Sequence, residues 1–338
     1  MANANEDRGF NSIRDSHVAQ RAKNKRLQTY TLFGVFALLV IMLAALVIMA
    51  VGGIVANVGN SDNKTPTGKP DSEGIEWGSI TMTNTDTHRG DLLIVNNDHG
   101  YSFPSTDDHL AEIYAQLVSH TPSTYKQSGL STYMDKDALV ALDAFLTAFC
   151  EATGKNNVII GYAYPKEEDR PTFESTPRRL DNLTALGCQL QYWDNGHRYA
   201  LSTDPTYNWL YENAHKYGFI VRYPDDKTDI TGISDYNDYF RYVGVAHATY
   251  MHANNLCLEE YVELLKGYTH KKPLGISAAD GKYYEVYSVE VNGSATVKVP
   301  TNYNYTVSGN NIDGVIITMD RSAATETETA ADTEAATN

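Results

Sequence analysis

An uncharged apolar run near the N-terminus most constrains what this chain can form. No charged residue occurs between Leu27 and Ser61, and the part from about Leu32 to Val58 consists mainly of Leu, Val, Ile, Ala and Phe. At about 1.5 Å per helical residue, this part is long enough to cross a bilayer core of ~30 Å. We therefore expect residues 30–58 to form a single transmembrane helix.

The charges that precede this run indicate its orientation. Residues 1–29 contain six Lys or Arg and three Asp or Glu, a local net charge of +3. Positive residues beside a membrane span favour the cytoplasmic side, so the segment 1–29 is predicted to be cytoplasmic and the rest of the chain extracytoplasmic. A cleaved signal peptide is the alternative, but the apolar run is longer than a signal core and no clean A-x-A site follows it.

The charge of the remaining chain argues against a nucleic-acid partner. The whole chain carries −15, and subtracting the +3 of residues 1–29 leaves −18. Phosphate binding needs a concentrated basic surface, which this composition does not provide. The three cysteines, Cys150, Cys188 and Cys257, are too few for a disulfide scaffold and match no zinc spacing. They form either one disulfide with a thiol left over or three buried thiols.

Composition divides the chain beyond the membrane span into four segments. Short polar residues with Gly and Pro are typical of a linker, the middle of the chain has the apolar periodicity of a folded domain, β-branched and aromatic runs follow, and the chain ends in small and acidic residues. We assign residues 59–86 as a linker and 87–267 as the main domain. Residues 268–320 are assigned as a small β-rich appendage and 321–338 as a disordered acidic tail.

Helix and strand signals are clearest at a few places in the main domain. Leu92–Val95 form a short apolar run that predicts a buried strand, and residues 107–119 have helical spacing. The segment 135–153 predicts a helix, with an Asp at its start and Gly154 at its end. Asp204 followed by Pro205 predicts another helix start.

A family resemblance becomes readable between Asp204 and Leu265. The phrases WLYENAHKYGFIVRYP, TGI, FRYVG, HA and LCLEEY follow one another there. Together they resemble VanY-type D-alanyl-D-alanine carboxypeptidases of bacterial cell walls, and with RGDLLIVNNDH upstream the resemblance covers roughly residues 88–266. It implies an α+β fold with a small antiparallel sheet flanked by helices. With the predicted anchor, it implies a single-pass protein of the bacterial cell membrane whose main domain faces the wall.

The resemblance also implies a mechanism for active members of the family. Three protein ligands hold one zinc ion, which lowers the pKa of a bound water, and a glutamate takes the proton of that water. An arginine stabilises the negative charge that develops at the scissile carbonyl.

The residues of this chain at those functional positions are different. The family motif SGYRS aligns with IGYAY, which places Ala163 at the arginine. The motif HxxGxxxD aligns through Gly187, so Thr184 and Gln191 stand at two of the zinc ligands. The motif ExxHxRYVG aligns through RYVG, so Tyr236 stands at the glutamate and Tyr239 at the last zinc ligand. Hydroxyls and amides are poor substitutes for imidazole and carboxylate. We therefore predict no intact catalytic set, no metal site and no cofactor, zinc being expected only if the family chemistry is retained.

Aromatic residues near these positions suggest binding instead. A groove lined by tyrosine offers flat apolar area and hydroxyl groups to a peptide or a sugar. The candidates for ligand contacts in such a groove are Tyr162, Tyr164, Tyr236 and Tyr239. The alternative is that these side chains fill a collapsed groove.

Three functions remain open on the sequence. The first is a VanY-like protein without peptidase activity that binds wall peptide, glycan or a wall or membrane protein. The second is an active zinc carboxypeptidase that takes its ligands from outside the motifs, although no histidine pair has the HExxH spacing. The third is a structural ectodomain with a closed groove.

Overall fold

The computed structural model describes residues 74–119, 122–129, 133–165 and 167–324. These residues form an α+β fold of mainly antiparallel sheets flanked by helices, as predicted. The predicted cytoplasmic segment 1–29 and transmembrane helix 30–58 lie outside them. Within the described ranges, no helix is both long enough and apolar enough to span a membrane.

The regular elements are numbered here in chain order. The strands are β1 (Trp77–Thr83), β2 (Leu110–Glu112), β3 (Lys126–Gln127), β4 (Tyr133–Asp135), β5 (Val158–Ile160), β6 (Gly187–Asp194), β7 (His197–Ala200), β8 (Phe219–Val221), β9 (Tyr239–Tyr242), β10 (Leu274–Ser277), β11 (Tyr283–Glu290), β12 (Ser294–Pro300), β13 (Tyr303–Gly309) and β14 (Gly314–Ala324). The α-helices are α1 (Ile113–Leu117), α2 (Lys136–Thr153), α3 (Arg170–Glu174), α4 (Asn208–Asn213), α5 (Thr228–Thr231), α6 (Val245–Asn254) and α7 (Leu258–Leu265).

The helix α2 confirms the strongest local prediction. Oδ1 of Asp135 accepts hydrogen bonds from the backbone N–H groups of Asp137 and Ala138, which have no partner inside the helix. Gly154 ends the helix at a φ of +70°, a conformation that costs little only for glycine. The apolar face of α2 is buried, and the ring of Phe145 lies 5.8 Å from that of Phe219 on β8.

The central sheet has the strand order β3-β5-β6-β9-β8, and β7 pairs with β6 as a hairpin. Strand β6 runs antiparallel to β9, with Gly187 opposite Arg241 and Gln189 opposite Tyr239. One face of this sheet packs on α2. This register places Gly187 on β6 beside Arg241, the first residue of RYVG, on β9.

A second sheet, in the order β10-β11-β14-β13, contains most of the segment assigned as a β-rich appendage. Its residues Val286 and Ile316 belong to the same buried cluster as Leu258 and Leu265 of α7. Residues 268–320 therefore share a core with the last helices of the preceding segment.

Several sequence-based boundaries are wrong, because the contacts that decide them are not local. The predicted linker 59–86 includes Trp77–Thr83, which form β1 and pair along their whole length with β12. The predicted tail begins within β14, which extends to Ala324. Leu92–Val95 are buried but form no strand. Of the predicted helix 107–119, only Ile113–Leu117 are α-helical, and β2 precedes them.

Candidate functional site

A cleft of about 580 Å³ lies beside the central sheet. Most of its lining residues come from the 3-10 helix Pro177–Thr184, from the β6–β7 hairpin and from the segment that leads from Asp225 to β9. Along β6, Gln189 and Gln191 line the cleft and alternate with side chains that point into the core.

The structure brings only some of the predicted residues to this cleft. Those that line it are Tyr162, Gln191 and Tyr236. The other predicted residues do not line the cleft, and each is at most 4% exposed. They are Ala163, Tyr164, Thr184 and Tyr239. The four candidate tyrosines therefore do not share one open groove.

The ring of Tyr239 is wholly buried and lies against Gly187 of the neighbouring strand. A Cβ atom at position 187 would lie 2.5 Å from Oη and 2.7 Å from Cζ of Tyr239, so glycine is what leaves room for this ring. The hydroxyl of Tyr239 donates to Oδ2 of Asp181 at 3.2 Å. The position aligned with the family's last zinc ligand is thus part of the core.

Tyr239 belongs to a cluster of three rings with Tyr223 and Tyr236. Ring centroids lie 5.3 Å apart for Tyr236 and Tyr239, and 5.9 Å apart for Tyr223 and each of the other two. All three side chains are at most 3% exposed, and this burial raises the pKa of each phenol. They stay protonated near neutral pH, so they can donate hydrogen bonds but cannot serve as general bases.

A buried ionic network surrounds Asp181, and the sequence analysis did not find it. Oδ1 of Asp181 accepts hydrogen bonds from Nε of Arg222 at 3.2 Å and from Nη1 of Arg241. Arg222 also binds both carboxylate oxygens of Glu259, at 2.7 and 2.9 Å. The two arginines occur inside the strand sequences FIVRYP and FRYVG, where a charge is unexpected. An arginine within an apolar strand sequence is thus the sequence signal that could have revealed this network.

Thr184, Ala163 and Tyr164 are held by contacts away from the cleft. The hydroxyl of Thr184 donates to the carbonyl oxygen of Asp181 at 2.7 Å and accepts from the backbone N–H of Leu186. Thr184 lines a different cleft, of about 800 Å³. The carbonyl oxygen of Ala163 accepts from the side-chain amide of Asn182 at 3.3 Å.

Tyr164 is fixed by a neighbouring arginine. Its hydroxyl accepts a hydrogen bond from Nη2 of Arg170 at 2.7 Å, and its side chain is 4% exposed. Burial raises the pKa of this phenol, although Arg170 opposes the shift. As a ligand contact Tyr164 would have to leave this position.

The side chains aligned with the zinc ligands do not fit a zinc site. Thr184 offers a hydroxyl that is already hydrogen-bonded, Gln191 an amide, and Tyr239 a protonated phenol. Zinc in proteins is held by thiolate, imidazole and carboxylate. In the part of the chain that the structure describes, no three His, Cys, Asp or Glu side chains are grouped as a metal ion would require.

All three cysteines are free thiols, so the disulfide alternative does not apply in this structure. Cys188 and Cys257 are buried, and Cys150 is partly buried. Burial raises the pKa of Cys257 to about 12 and that of Cys188 still further. A thiol with a raised pKa is a poor nucleophile at neutral pH.

The cleft also contains charged residues that the sequence analysis did not single out. They are of both signs: Arg178, Arg179, Arg198, Asp225, Asp235 and Asp238. The adjacent pair Arg178 and Arg179 lies in the 3-10 helix Pro177–Thr184. Its role at the cleft depends on the 3-10 helix that begins at Pro177.

Comparisons with known proteins agree with this fold. The family profile described as "VanY: D-alanyl-D-alanine carboxypeptidase" matches residues 187–245. A D-alanyl-D-alanine carboxypeptidase of Enterococcus faecium is 30% identical over 254 residues, which cover 71% of this chain and 78% of that protein. One of Enterococcus faecalis is 52% identical over 60 residues, 18% of this chain and 22% of that protein.

A solved structure shares the fold. It is the vancomycin resistance D,D-dipeptidase VanXYg, in complex with a D-Ala-D-Ala phosphinate analog. The similarity has a TM-score of 0.61 and 24% sequence identity, and it covers 73% of this chain and 100% of that one. The segment matched by the family profile contains Gln191, Tyr236 and Tyr239.

Proposed function

The chain belongs to the VanY family of D-alanyl-D-alanine carboxypeptidases, and from that premise we propose that it is a membrane-anchored, extracytoplasmic member that binds a cell-wall peptide without hydrolysing it. The observation that carries the proposal is the position of Tyr239. The residue aligned with a zinc-binding histidine is wholly buried, rests on Gly187 and is hydrogen-bonded to Asp181.

The other aligned positions support the absence of hydrolysis. Attack on an amide requires a base for the water and positive charge at the carbonyl oxygen. Tyr236 replaces the glutamate, and its raised pKa keeps it protonated. Ala163 replaces the arginine. It is buried, and its side chain supplies no positive charge. Neither requirement is met by the aligned residues.

Binding is supported by the cleft itself. It is about 580 Å³ in volume and offers an aromatic ring, amides and guanidinium groups to a ligand. Pockets with a few converging polar groups are typical binding sites. The relatives are named for their action on D-alanyl-D-alanine, so a peptide of this kind is the ligand that we propose.

Membrane anchoring is proposed on the apolar run of residues 30–58 and the basic residues before it. Expression in a bacterial cell followed by membrane fractionation and external protease treatment tests this part. We expect the chain in the membrane fraction. Its folded part should be cleaved by external protease only after the cell envelope outside the membrane has been made permeable. Recovery in the cytosol would contradict it.

Metal analysis combined with an assay of D-alanine release tests the absence of hydrolysis. The full chain is purified, dialysed against zinc and then against buffer, and incubated with a wall pentapeptide that ends in D-Ala-D-Ala. The E. faecium relative serves as the positive control. We expect substoichiometric zinc and no D-alanine. Stoichiometric zinc with release that a chelator abolishes would show an active carboxypeptidase instead.

A further inference from the structure

The outer edge of β1 carries backbone groups that pair with no other strand in the described part of the chain. β1 forms a two-stranded sheet with β12 and pairs with it along its whole length. Backbone hydrogen bonds at the two ends of this pair, from Asn84 to Gly293 and from Thr301 to Glu76, fix which residues of β1 bond to β12. Because bonding alternates along an antiparallel pair, these are its even-numbered residues. The backbone groups that point away from β12 are those of Trp77, Ser79 and Thr81.

This edge lacks the features that usually prevent a strand edge from pairing. Natural edge strands are commonly protected by charged side chains or proline. The sequence of β1, WGSITMT, contains neither, and Ser79 and Thr81 are exposed. The free edge of β12 differs, because it carries the exposed Lys298, whose carbonyl oxygen accepts a hydrogen bond from the hydroxyl of Tyr287.

The space beside β1 is open. A groove of about 490 Å³ is lined by residues 78–80 of β1, by the end of β12 and by residues 303–305 of β13. Ile80 and Tyr305 at this groove are only partly buried, although both pack against the core between the two sheets. In the described ranges, therefore, no segment fills the space at this edge.

The unpaired backbone groups are self-complementary about Ser79. They start at Trp77 and end at Thr81, since the backbone N–H of Thr83 donates to Oδ2 of Asp86 at 2.7 Å. An antiparallel strand of the same sequence can place Ser79 opposite Ser79 and Trp77 opposite Thr81, which pairs every outward group. None of the side chains brought together is charged, so this register has no like charges opposite each other.

We infer that two copies of this chain pair through the outer edges of β1, in an antiparallel register centred on Ser79. The pairing joins two two-stranded sheets into one four-stranded sheet with the order β12-β1-β1-β12. A sheet of two strands is marginally stable by itself, and further strands stabilise it. Because both copies use the same patch, the contact closes as a two-fold dimer. The anchor proposed above would hold the copies in one membrane with one orientation, which raises their effective concentration.

Cysteine cross-linking in bacterial membranes that contain the full chain tests the register. Ser79→Cys places two thiols opposite each other, with Cα atoms about 5.5 Å apart, which is within the range of a disulfide. Thr83→Cys is the matched control, because Thr83 is exposed on the same strand but would lie about 27 Å from its counterpart at ~3.4 Å per residue. We expect a disulfide dimer from Ser79→Cys after mild oxidation, and from Thr83→Cys only the background of the wild type with its native thiols.

A proline at the centre of the edge separates pairing from folding. Ser79→Pro removes an N–H group that points away from β12, so the ladder between β1 and β12 keeps its bonds. Ser79→Ala keeps this N–H group and is the control. Ser79→Lys keeps all backbone groups but brings two like charges together on the two-fold axis. Light scattering of the full chain in detergent measures the mass, and urea unfolding checks that each variant is folded.

We expect the wild type and Ser79→Ala to be dimers, and Ser79→Pro and Ser79→Lys to be monomers. A dimer that persists in the last two variants would place the contact elsewhere and overturn the inference. A monomeric wild type, or equal cross-linking of Ser79→Cys and Thr83→Cys, would also overturn it and leave the edge to another extended segment. None of these results bears on peptide binding, because β1 does not line the cleft beside the central sheet.

Discussion

The hydroxyl of Tyr239 donates a hydrogen bond to the carboxylate of Asp181 at 3.2 Å, inside the core. This bond joins β9 to the 3-10 helix Pro177–Thr184, two of the three segments that carry positions aligned with zinc ligands. A zinc ion would join the same two segments through positions 184 and 239. In this chain a hydrogen bond between Tyr239 and Asp181 connects them.

Removal of the Tyr239 hydroxyl is expected to destabilise the fold. Tyr239→Phe leaves the buried Asp181 with one donor fewer, and a hydrogen bond to a charged group contributes about 1.5–3 kcal/mol. Urea unfolding followed by tryptophan fluorescence measures the loss. Tyr236→Phe is the control, because its hydroxyl has no partner in the described protein, and it should change stability little. Equal losses in the two variants would show that the Tyr239–Asp181 bond contributes nothing.

Neutralisation of Asp181 is expected to cost far more. Asp181→Asn leaves Arg222 and Arg241, both with 0% exposed side chains, with too little negative charge. Breaking a buried ion pair by changing one partner costs about 3–5 kcal/mol. Glu263→Gln, which breaks the exposed pair with Lys266, should cost no more than about 0.5 kcal/mol. A similar small loss for Asp181→Asn in the unfolding assay would contradict the role assigned to the network.

A methyl group at position 187 is expected to disrupt the contact with Tyr239. In Gly187→Ala the new Cβ atom would lie 2.5 Å from Oη of Tyr239 and 2.9 Å from the carbonyl oxygen of Phe240, so ring or backbone has to shift. Overpacking of this kind costs about 1–3 kcal/mol. Gly161→Ala is the control, since its nearest contact would be 3.4 Å. A Gly187→Ala protein as stable as Gly161→Ala would show that Tyr239 does not occupy this position.

The buried His247 is expected to make stability depend on pH. Its ring nitrogens are hydrogen-bonded to Tyr261 and Thr318 at 2.8 and 2.9 Å, and burial lowers its pKa from 6.5 to about 4. The unfolded chain therefore binds a proton at a higher pH than the folded one. The contribution of His247 is full above pH 6.5 and is lost as the pH falls towards 4, by about 3 kcal/mol in total.

Comparison with a variant isolates this effect from other acid-sensitive groups. The free energy of unfolding is measured at pH 7 and at pH 4.5 for the wild type and for His247→Gln. We expect the wild type to lose more stability between these values than the variant. Parallel losses would show that His247 does not titrate in this range.

Local signals explain which parts of the fold the sequence predicts. The helix α2 is specified by its own cap, apolar face and terminal glycine, all within 20 residues. The pairing of β1 with β12 is not predicted, because the bonds that define it join residues more than 200 positions apart. The run Leu92–Val95 has the composition of a strand but is buried in irregular structure.

The candidate site is predictable in its residue types but not in its geometry. The motif comparison identifies Thr184, Gln191, Tyr236 and Tyr239 as replacements at functional positions. The motifs do not show that Tyr239 lies in the core whereas Tyr236 lines the cleft. The position of Tyr239 depends on the room that Gly187 leaves for its ring. The grouping of charged residues in the cleft depends on contacts between distant segments, which sequence spacing does not define.

One spectrum tests the central claim, that this protein binds a wall peptide and leaves it intact. A pentapeptide with 13C-labelled terminal D-alanine methyl groups is mixed with the full chain in the presence of zinc, and its methyl signals are followed by NMR. Binding without hydrolysis predicts that the peptide signals shift or broaden and that no free D-alanine signal appears. A growing free D-alanine signal, or peptide signals that the protein leaves unchanged, would contradict it.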